Sequence, residues 1–145
     1  MAERFTGVIT PILTPYNDDM SIATDLYLEH AAGCLTDGSH YLSPFGTTGE
    51  ALSNSSRERM KITEMLVTSG TARADQLMPG TGLCSLEETL TLCRHAVGLG
   101  CAAVMTLPPF FYVTASDEGL YRYFSQLIEG VASDDLRICL YNIPQ

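Results

Sequence analysis

The sequence predicts an α/β protein of parallel strands joined by crossover helices, and three observations carry that prediction. Short apolar runs recur at intervals of roughly 25 to 37 residues along the 145-residue chain. The segments between them repeat apolar residues with helical spacing rather than strict alternation. Each run also ends in glycine, proline or hydroxyl residues: TPY, PFGTTGE, PGTG, LPPFFY and YNIP. Strand-like and helix-like segments in alternation imply parallel pairing, because a parallel neighbour is reached only by a long crossover.

Taken in order, the first apolar run is Phe5–Leu13, and a helix over roughly Thr24–Thr36 follows with Leu28, Ala31, Ala32 and Leu35 as its apolar side. The second run, His40–Phe45, leads straight into Gly46-Thr47-Thr48-Gly49-Glu50. Ser55-Ser56-Arg57-Glu58 is a capping box, in which the serine hydroxyl and the glutamate carboxylate each satisfy an orphan backbone N–H. Ile62, Met65, Leu66 and Ser69 then share one helix face, and Arg57, Lys61, Glu64 and Thr68 another. A third run at Gln76–Met78 precedes a second capping box, Ser85 to Glu88, with Leu86, Leu90, Cys93 and Val97 as its stripe. The fourth run is Ala102–Leu107. A helix with Leu120, Phe124, Leu127 and Val131 opposite Glu118, Arg122, Gln126 and Glu129 leads to the fifth, Arg137–Tyr141. No linker or low-complexity segment interrupts the series, so residues 1–145 read as part of one domain.

Composition narrows the function. A hydrophobic share of 46% with 17% charged residues is that of a water-soluble globular domain. A formal charge of −9 argues against a nucleic-acid partner and against an anionic membrane surface. The N-terminal stretch MAERFTGVITPILTP has Glu3 early and Pro11 inside its apolar run, which fits neither a signal peptide nor a membrane span. Cys34, Cys84, Cys93, Cys101 and Cys139 are odd in number and contain no C-x-x-C pair; they are expected to be buried free thiols in a reducing cytoplasm.

In parallel α/β folds ligands sit at the carboxyl ends of the strands, so function is sought in the five endings. Gly46 to Gly49 offers consecutive backbone N–H groups and two hydroxyls, a concavity suited to a carboxylate or phosphate. It has neither the lysine nor the spacing of a P-loop, and it is not a dinucleotide-binding glycine motif. The same residues also suit a plain tight turn with a threonine capping the next helix. Tyr141 closes the fifth run with its phenol on the opposite face from Ile138 and Leu140. There it reads either as a proton donor and acceptor or as an interior tyrosine with a satisfied hydroxyl. Glu50 is expected to brace the following helix, and Tyr121 and Tyr123 to pack. His30, His40 and His95 have no ligand partners at metal-binding spacing, and no metal or other cofactor is expected.

GVITPILTPY, PFGTTGEALS, PGTG, LPPFFY with SDEGLYRYF, and YNIP together resemble the dihydrodipicolinate synthase / N-acetylneuraminate lyase family, in that family's order and spacing. The resemblance implies a TIM barrel, of which this chain would be an incomplete part with about five strands and four helices. It implies a class I aldolase, in which a 2-keto acid such as pyruvate forms an imine with a lysine and the derived enamine adds to an aldehyde, or the reverse. On this resemblance Gly46, Thr47 and Thr48 bind the keto-acid carboxylate, and Thr47 and Tyr141 move protons. It also implies a cytoplasmic homo-oligomer, dimer or tetramer.

Two departures qualify the resemblance. Anchored on Pro109, the slot of the tyrosine that completes a neighbouring subunit's proton relay falls on Phe111, and a shift of one residue brings Tyr112 into it. That keeps a sugar-acid aldolase or hydro-lyase of the same family open. The family's imine-forming lysine belongs to a sixth strand, whereas Lys61 is the only lysine of the sequence. Residues 1–145 alone are therefore expected to be inactive, which leaves a non-catalytic binding protein as the third reading.

Overall fold

The structure is a computed structural model and describes residues 5–111 and 114–143. Among these, the regular strands are β1 (Ile9–Pro11), β2 (Tyr41–Ser43), β3 (Val104–Thr106) and β4 (Ile138–Leu140). The α-helices are α1 (Thr24–Thr36), α2 (Ser56–Thr68), α3 (Leu86–Leu99) and α4 (Asp117–Val131). β1 pairs in parallel with β2, Thr10 opposite Leu42, and β3 in parallel with β4, Met105 opposite Cys139.

The third apolar run joins these two pairs. It starts one residue later than the spacing predicts, because Gln76 closes a 3-10 turn, Ala74–Gln76. From Leu77 the backbone is bonded to both sides. Met78 and Gly80 donate to the Leu42 and Pro44 carbonyls, each at 2.8 Å, while Met105 donates to Pro79 and Thr81 to Met105, each at 2.9 Å. Pro79 has no N–H to donate, so the segment forms parallel bridges at Leu77 and Gly80 instead of an unbroken ladder. The five runs are thus neighbours in chain order and parallel, and the strands are shorter than the runs themselves. Pro11 is the last residue of β1 and is paired with Ser43, whose carbonyl also accepts the Ile12 N–H at 3.3 Å.

The helices start where their caps dictate. Ser55 accepts the Glu58 N–H while the Glu58 carboxylate takes the Ser55 N–H at 2.8 Å, a complete capping box. Ser55→Ala is expected to lower stability by about 0.5–2 kcal/mol, read from a urea melt. The second box is only half formed: Ser85 accepts the Glu88 N–H at 3.3 Å, but the Glu88 carboxylate is drawn across to the hydroxyl of Ser56 on α2. A partner on the neighbouring helix outcompetes the local one.

The buried faces differ from the predicted stripes in an informative way. On α2 the buried set is Arg59, Ile62, Thr63 and Leu66, a continuous i, i+3, i+4, i+7 stripe that includes two polar residues. On α1, Tyr27 and Ala31 are buried while Ala32 is exposed. Tyr27 stacks on Phe45 at 6.0 Å between ring centroids and so ties α1 to the end of β2. One core cluster gathers Ile12, Leu42, Leu66 and Leu77 with α1 and α2; the other joins Leu90, Cys93, Val104 and Leu127 under α3 and α4. All five cysteines are free thiols, but only Cys93 is fully buried; the other four are half-buried, a correction to the expected burial. Burial still pushes the Cys101 thiol up to about 12. Among the described residues, no helix is long and apolar enough to cross a membrane.

Candidate active site

Four of the five run endings converge on one cavity of about 280 Å³, somewhat below the range of about 300–1,000 Å³ typical of ligand pockets. Phe45, Gly46 and Thr47 follow β2, Gly80 and Gly82 follow the bridging segment, Leu107 and Phe110 follow β3, and Tyr141 and Ile143 follow β4. Glu50, Leu52 and Ser53 close it from the turn before α2.

The turn itself is tightly specified. Glu50 donates to the Thr47 carbonyl at 3.1 Å and Ala51 to the Gly46 carbonyl at 3.2 Å. Phe45 and Glu50, at its two ends, have φ of 58° and 50°, a left-handed backbone that non-glycine residues seldom adopt. Gly49 is needed for close approach: a Cβ there would lie 2.7 Å from the Ile12 carbonyl oxygen. With the turn held this way, the Thr47 and Thr48 N–H groups donate to no other group among the described residues. They stand available to an anion.

The cavity's polar groups are few. Thr47 and Ser53 bring hydroxyls, Glu50 a carboxylate and Tyr141 a phenol, against walls of Phe45, Leu52, Met105, Leu107, Phe110 and Ile143. No lysine or arginine is among the described residues that line it. An anion bound here is therefore held by amides and hydroxyls, not by a side-chain cation. Tyr141 is fixed by its own N–H, which donates to the Thr106 carbonyl at 2.9 Å. That bond continues the β3–β4 pairing by one residue and carries the ring to the cavity.

The sequence-predicted residues divide as follows. Gly46, Thr47 and Tyr141 share the cavity wall. Thr48 is exposed beside it without lining it. Phe111 is 77% exposed, and it is Phe110 that lines the cavity. Tyr112 lies outside the described residues. Glu50 braces the next segment through its carbonyl, which accepts from the Asn54 amide at 2.9 Å, and it also lines the cavity. The three histidines act structurally. His30 and His40 accept the N–H groups of Leu13 and Val8, at 3.2 and 3.1 Å, and His95 on α3 pairs with Glu64 on α2 at 2.8 Å. Tyr123 packs inward and donates to the Leu83 carbonyl, while Tyr121 is 71% exposed.

Sequence reasoning missed Arg59. Its side chain is 2% exposed and donates to the carbonyl of Gly80, a cavity residue, while its Nε and Nη1 have no partner among the described residues. Burial lowers its pKa to about 10, opposed by the fields of Cys93 and Glu88, so the guanidinium stays charged at neutral pH. The available signal was position: Arg59 falls on the same stripe as Ile62 and Leu66.

The family model of the dihydrodipicolinate synthetase family matches residues 4–145. A 4-hydroxy-tetrahydrodipicolinate synthase of Thermus thermophilus is 35% identical over 140 residues, covering 97% of this chain and 45% of that protein. In structure, the chain is similar to the dihydrodipicolinate synthase of Agrobacterium tumefaciens, with a TM-score of 0.90 and 32% identity over 95% of this chain and 48% of that one. It is also similar to a prophage protein from E. coli K12, described as belonging to the dihydrodipicolinic acid synthase family and solved in complex with pyruvate. That match has a TM-score of 0.84 and 28% identity over 97% of this chain and 45% of that one. The chain spans about half the length of the curated relatives it matches.

Proposed function

The chain belongs to the dihydrodipicolinate synthetase family, and from that premise we propose that it supplies the carboxylate-binding and proton-shuttling part of a TIM-barrel lyase or aldolase acting on a 2-keto acid. The observation that carries this reading is that Thr47 and Tyr141, from the endings of two different strands, line the same cavity. The keto-acid carboxylate accepts the Thr47 hydroxyl and the Thr47 and Thr48 N–H groups, so Thr48 contributes its backbone and not its side chain. Tyr141 protonates the carbonyl oxygen as an amine adds to the adjacent carbon, and water then departs to leave the imine. Loss of a proton from the neighbouring carbon gives the enamine, which forms the carbon–carbon bond to an aldehyde. A positioned proton-transfer group contributes about 10²- to 10⁴-fold in rate.

The amine comes from outside residues 1–145. Lys61 is exposed on α2 and does not line the cavity. Borohydride reduction of this chain with pyruvate is expected to leave its intact mass unchanged; a stable adduct mapped to Lys61 would make the chain a catalyst by itself. Assembly as a homo-oligomer in the cytoplasm belongs to the same proposal. A sugar-acid aldolase or hydro-lyase is the second reading, favoured where Phe111 and not Tyr112 takes the family's relay slot.

The decisive experiment is a pyruvate titration of the 145-residue chain followed by amide NMR. Saturable shifts at Thr47, Thr48 and Tyr141 are expected. Thr47→Val removes a hydrogen bond to a charged group, worth about 1.5–3 kcal/mol, and is expected to weaken binding roughly 10- to 100-fold. Thr48→Val is expected to change it about twofold at most, since its amide remains. Pyruvate affinity unaffected by Thr47→Val would remove this residue from the site.

A further inference from the structure

The first ending, TPY, contributes nothing to the cavity wall, yet Thr14 bonds to the turn that does and Tyr16 reaches that turn through Asn54. Thr14 is 6% exposed, and its hydroxyl donates to the Gly49 carbonyl at 2.7 Å across 35 residues of sequence. Asn54 is 7% exposed and donates from its amide nitrogen both to the Tyr16 hydroxyl, at 2.7 Å, and to the Glu50 carbonyl, at 2.9 Å.

We propose that Thr14 and Asn54 are positioning residues that set the peptide planes of the Gly46–Glu50 turn, and through them the affinity of the turn for a keto-acid carboxylate. The second half of this statement rests on the reading above of Thr47 and Thr48 as the carboxylate contacts; the first half does not.

The argument runs through peptide geometry. In a trans peptide the carbonyl and the N–H point in opposite directions, and the described residues contain no cis bond. The plane between Gly49 and Glu50 is held at both ends: its carbonyl accepts from Thr14, and its N–H donates to the Thr47 carbonyl at 3.1 Å. That second bond fixes the next plane, between Thr47 and Thr48, whose carbonyl is turned toward Glu50. The Thr48 N–H must then point the other way, out of the turn. Thr14 thus orients, two planes away, a donor it does not touch. Asn54 fixes the following plane through the Glu50 carbonyl and anchors it to Tyr16.

The backbone needs such restraint. Phe45 and Glu50 sit in left-handed conformations at φ of 58° and 50°. Strain of this kind persists only where surrounding bonds over-determine it. A buried hydrogen bond from Thr14 and a part-buried one from Asn54 supply that determination. A purely apolar residue at position 14 would leave the Gly49 carbonyl buried and unbonded, and the turn would be free to rotate that plane.

The test uses the 145-residue chain with Thr14→Val, Thr14→Ser and Asn54→Leu. Urea melts read folding, the Thr48 and Glu50 amide resonances read the planes, and pyruvate titration reads the site. Thr14→Val is expected to move both resonances and weaken pyruvate roughly tenfold, with Thr14→Ser restoring both because it returns the hydroxyl. Asn54→Leu is expected to move Glu50 and weaken pyruvate by a similar factor. A Thr14→Val chain that folds, with both resonances and the affinity unmoved, overturns the proposal. If Thr14→Val does not fold, Asn54→Leu decides: an unmoved Glu50 amide overturns it equally. If the unsubstituted chain binds no pyruvate, the functional reading fails, and the resonance shifts with serine rescue still decide the positioning role.

Discussion

Gly80→Ala is expected to destabilise the chain by at least about 1–3 kcal/mol, the usual range for forcing a methyl into a packed interior. The added Cβ would overlap the Phe45 carbonyl oxygen and lie 2.8 Å from its carbon and 3.2 Å from the Gly46 nitrogen. These are backbone atoms, so no rotamer change relieves the contact. Phe45 is already in a left-handed conformation, and Gly80 is tied on both sides, by its N–H to the Pro44 carbonyl and by its carbonyl to Arg59. Relief therefore requires moving the turn that carries Thr47, and pyruvate affinity is expected to fall together with stability. Gly33→Ala is the control of opposite sign. It lies within α1 with nothing inside 4 Å of an added Cβ, and should gain up to about 1 kcal/mol from helix propensity. Urea melts of the two variants read the pair; a Gly80→Ala chain as stable as the parent would show that the cavity wall is not held as the structure has it.

How much of this was legible in the sequence depended on whether the deciding interaction was local. The helix at Thr24–Thr36 and the Ser55 capping box follow from periodicity and from a motif closed within four residues, and both are present. The Ser85 box obeys the same motif but loses its glutamate to Ser56, a competitor 32 residues away. Nothing nearby in the sequence announces that competitor. The order of the strands was readable because apolar runs alternate with helices. Their lengths were not, because Pro44 and Pro79 withhold N–H groups from the pairing of the third run with its neighbours while leaving the apolar pattern intact. On the cavity wall, Gly46, Thr47 and Tyr141 were legible as residues of strand endings, while their chemistry rested on the family resemblance, since the same residues suit a plain turn and an interior tyrosine. Phe110 was passed over because one residue decides which side of an irregular loop faces inward, and a loop has no period. Arg59 and Thr63 were assigned to no face because their polarity hides the stripe they belong to.

Arg59 also separates what holds the fold from what shapes the site. Arg59→Ala removes a large buried side chain and leaves a cavity, a change that costs about 2–5 kcal/mol at comparable core positions. It strips the Gly80 carbonyl of its donor as well. Arg59→Met is expected to behave differently. Methionine fills most of the volume and ends the burial of a charged group whose Nε and Nη1 have no partner among the described residues. Replacing buried ionic groups by well-packed apolar ones is often neutral or stabilising by about 1–4 kcal/mol. Against this stands the unbonded Gly80 carbonyl, which costs about 1–3 kcal/mol. The two terms are of similar size, so Arg59→Met is expected to stay close to the parent in a urea melt while Arg59→Ala falls several kcal/mol below it. The site should respond alike to the two variants, because both free the Gly80 carbonyl and both loosen the wall beside Phe45 and Gly46. Pyruvate binding weakened equally in the two, despite their different stabilities, would assign Arg59 to shaping the cavity. Binding that tracks stability would assign it to packing alone.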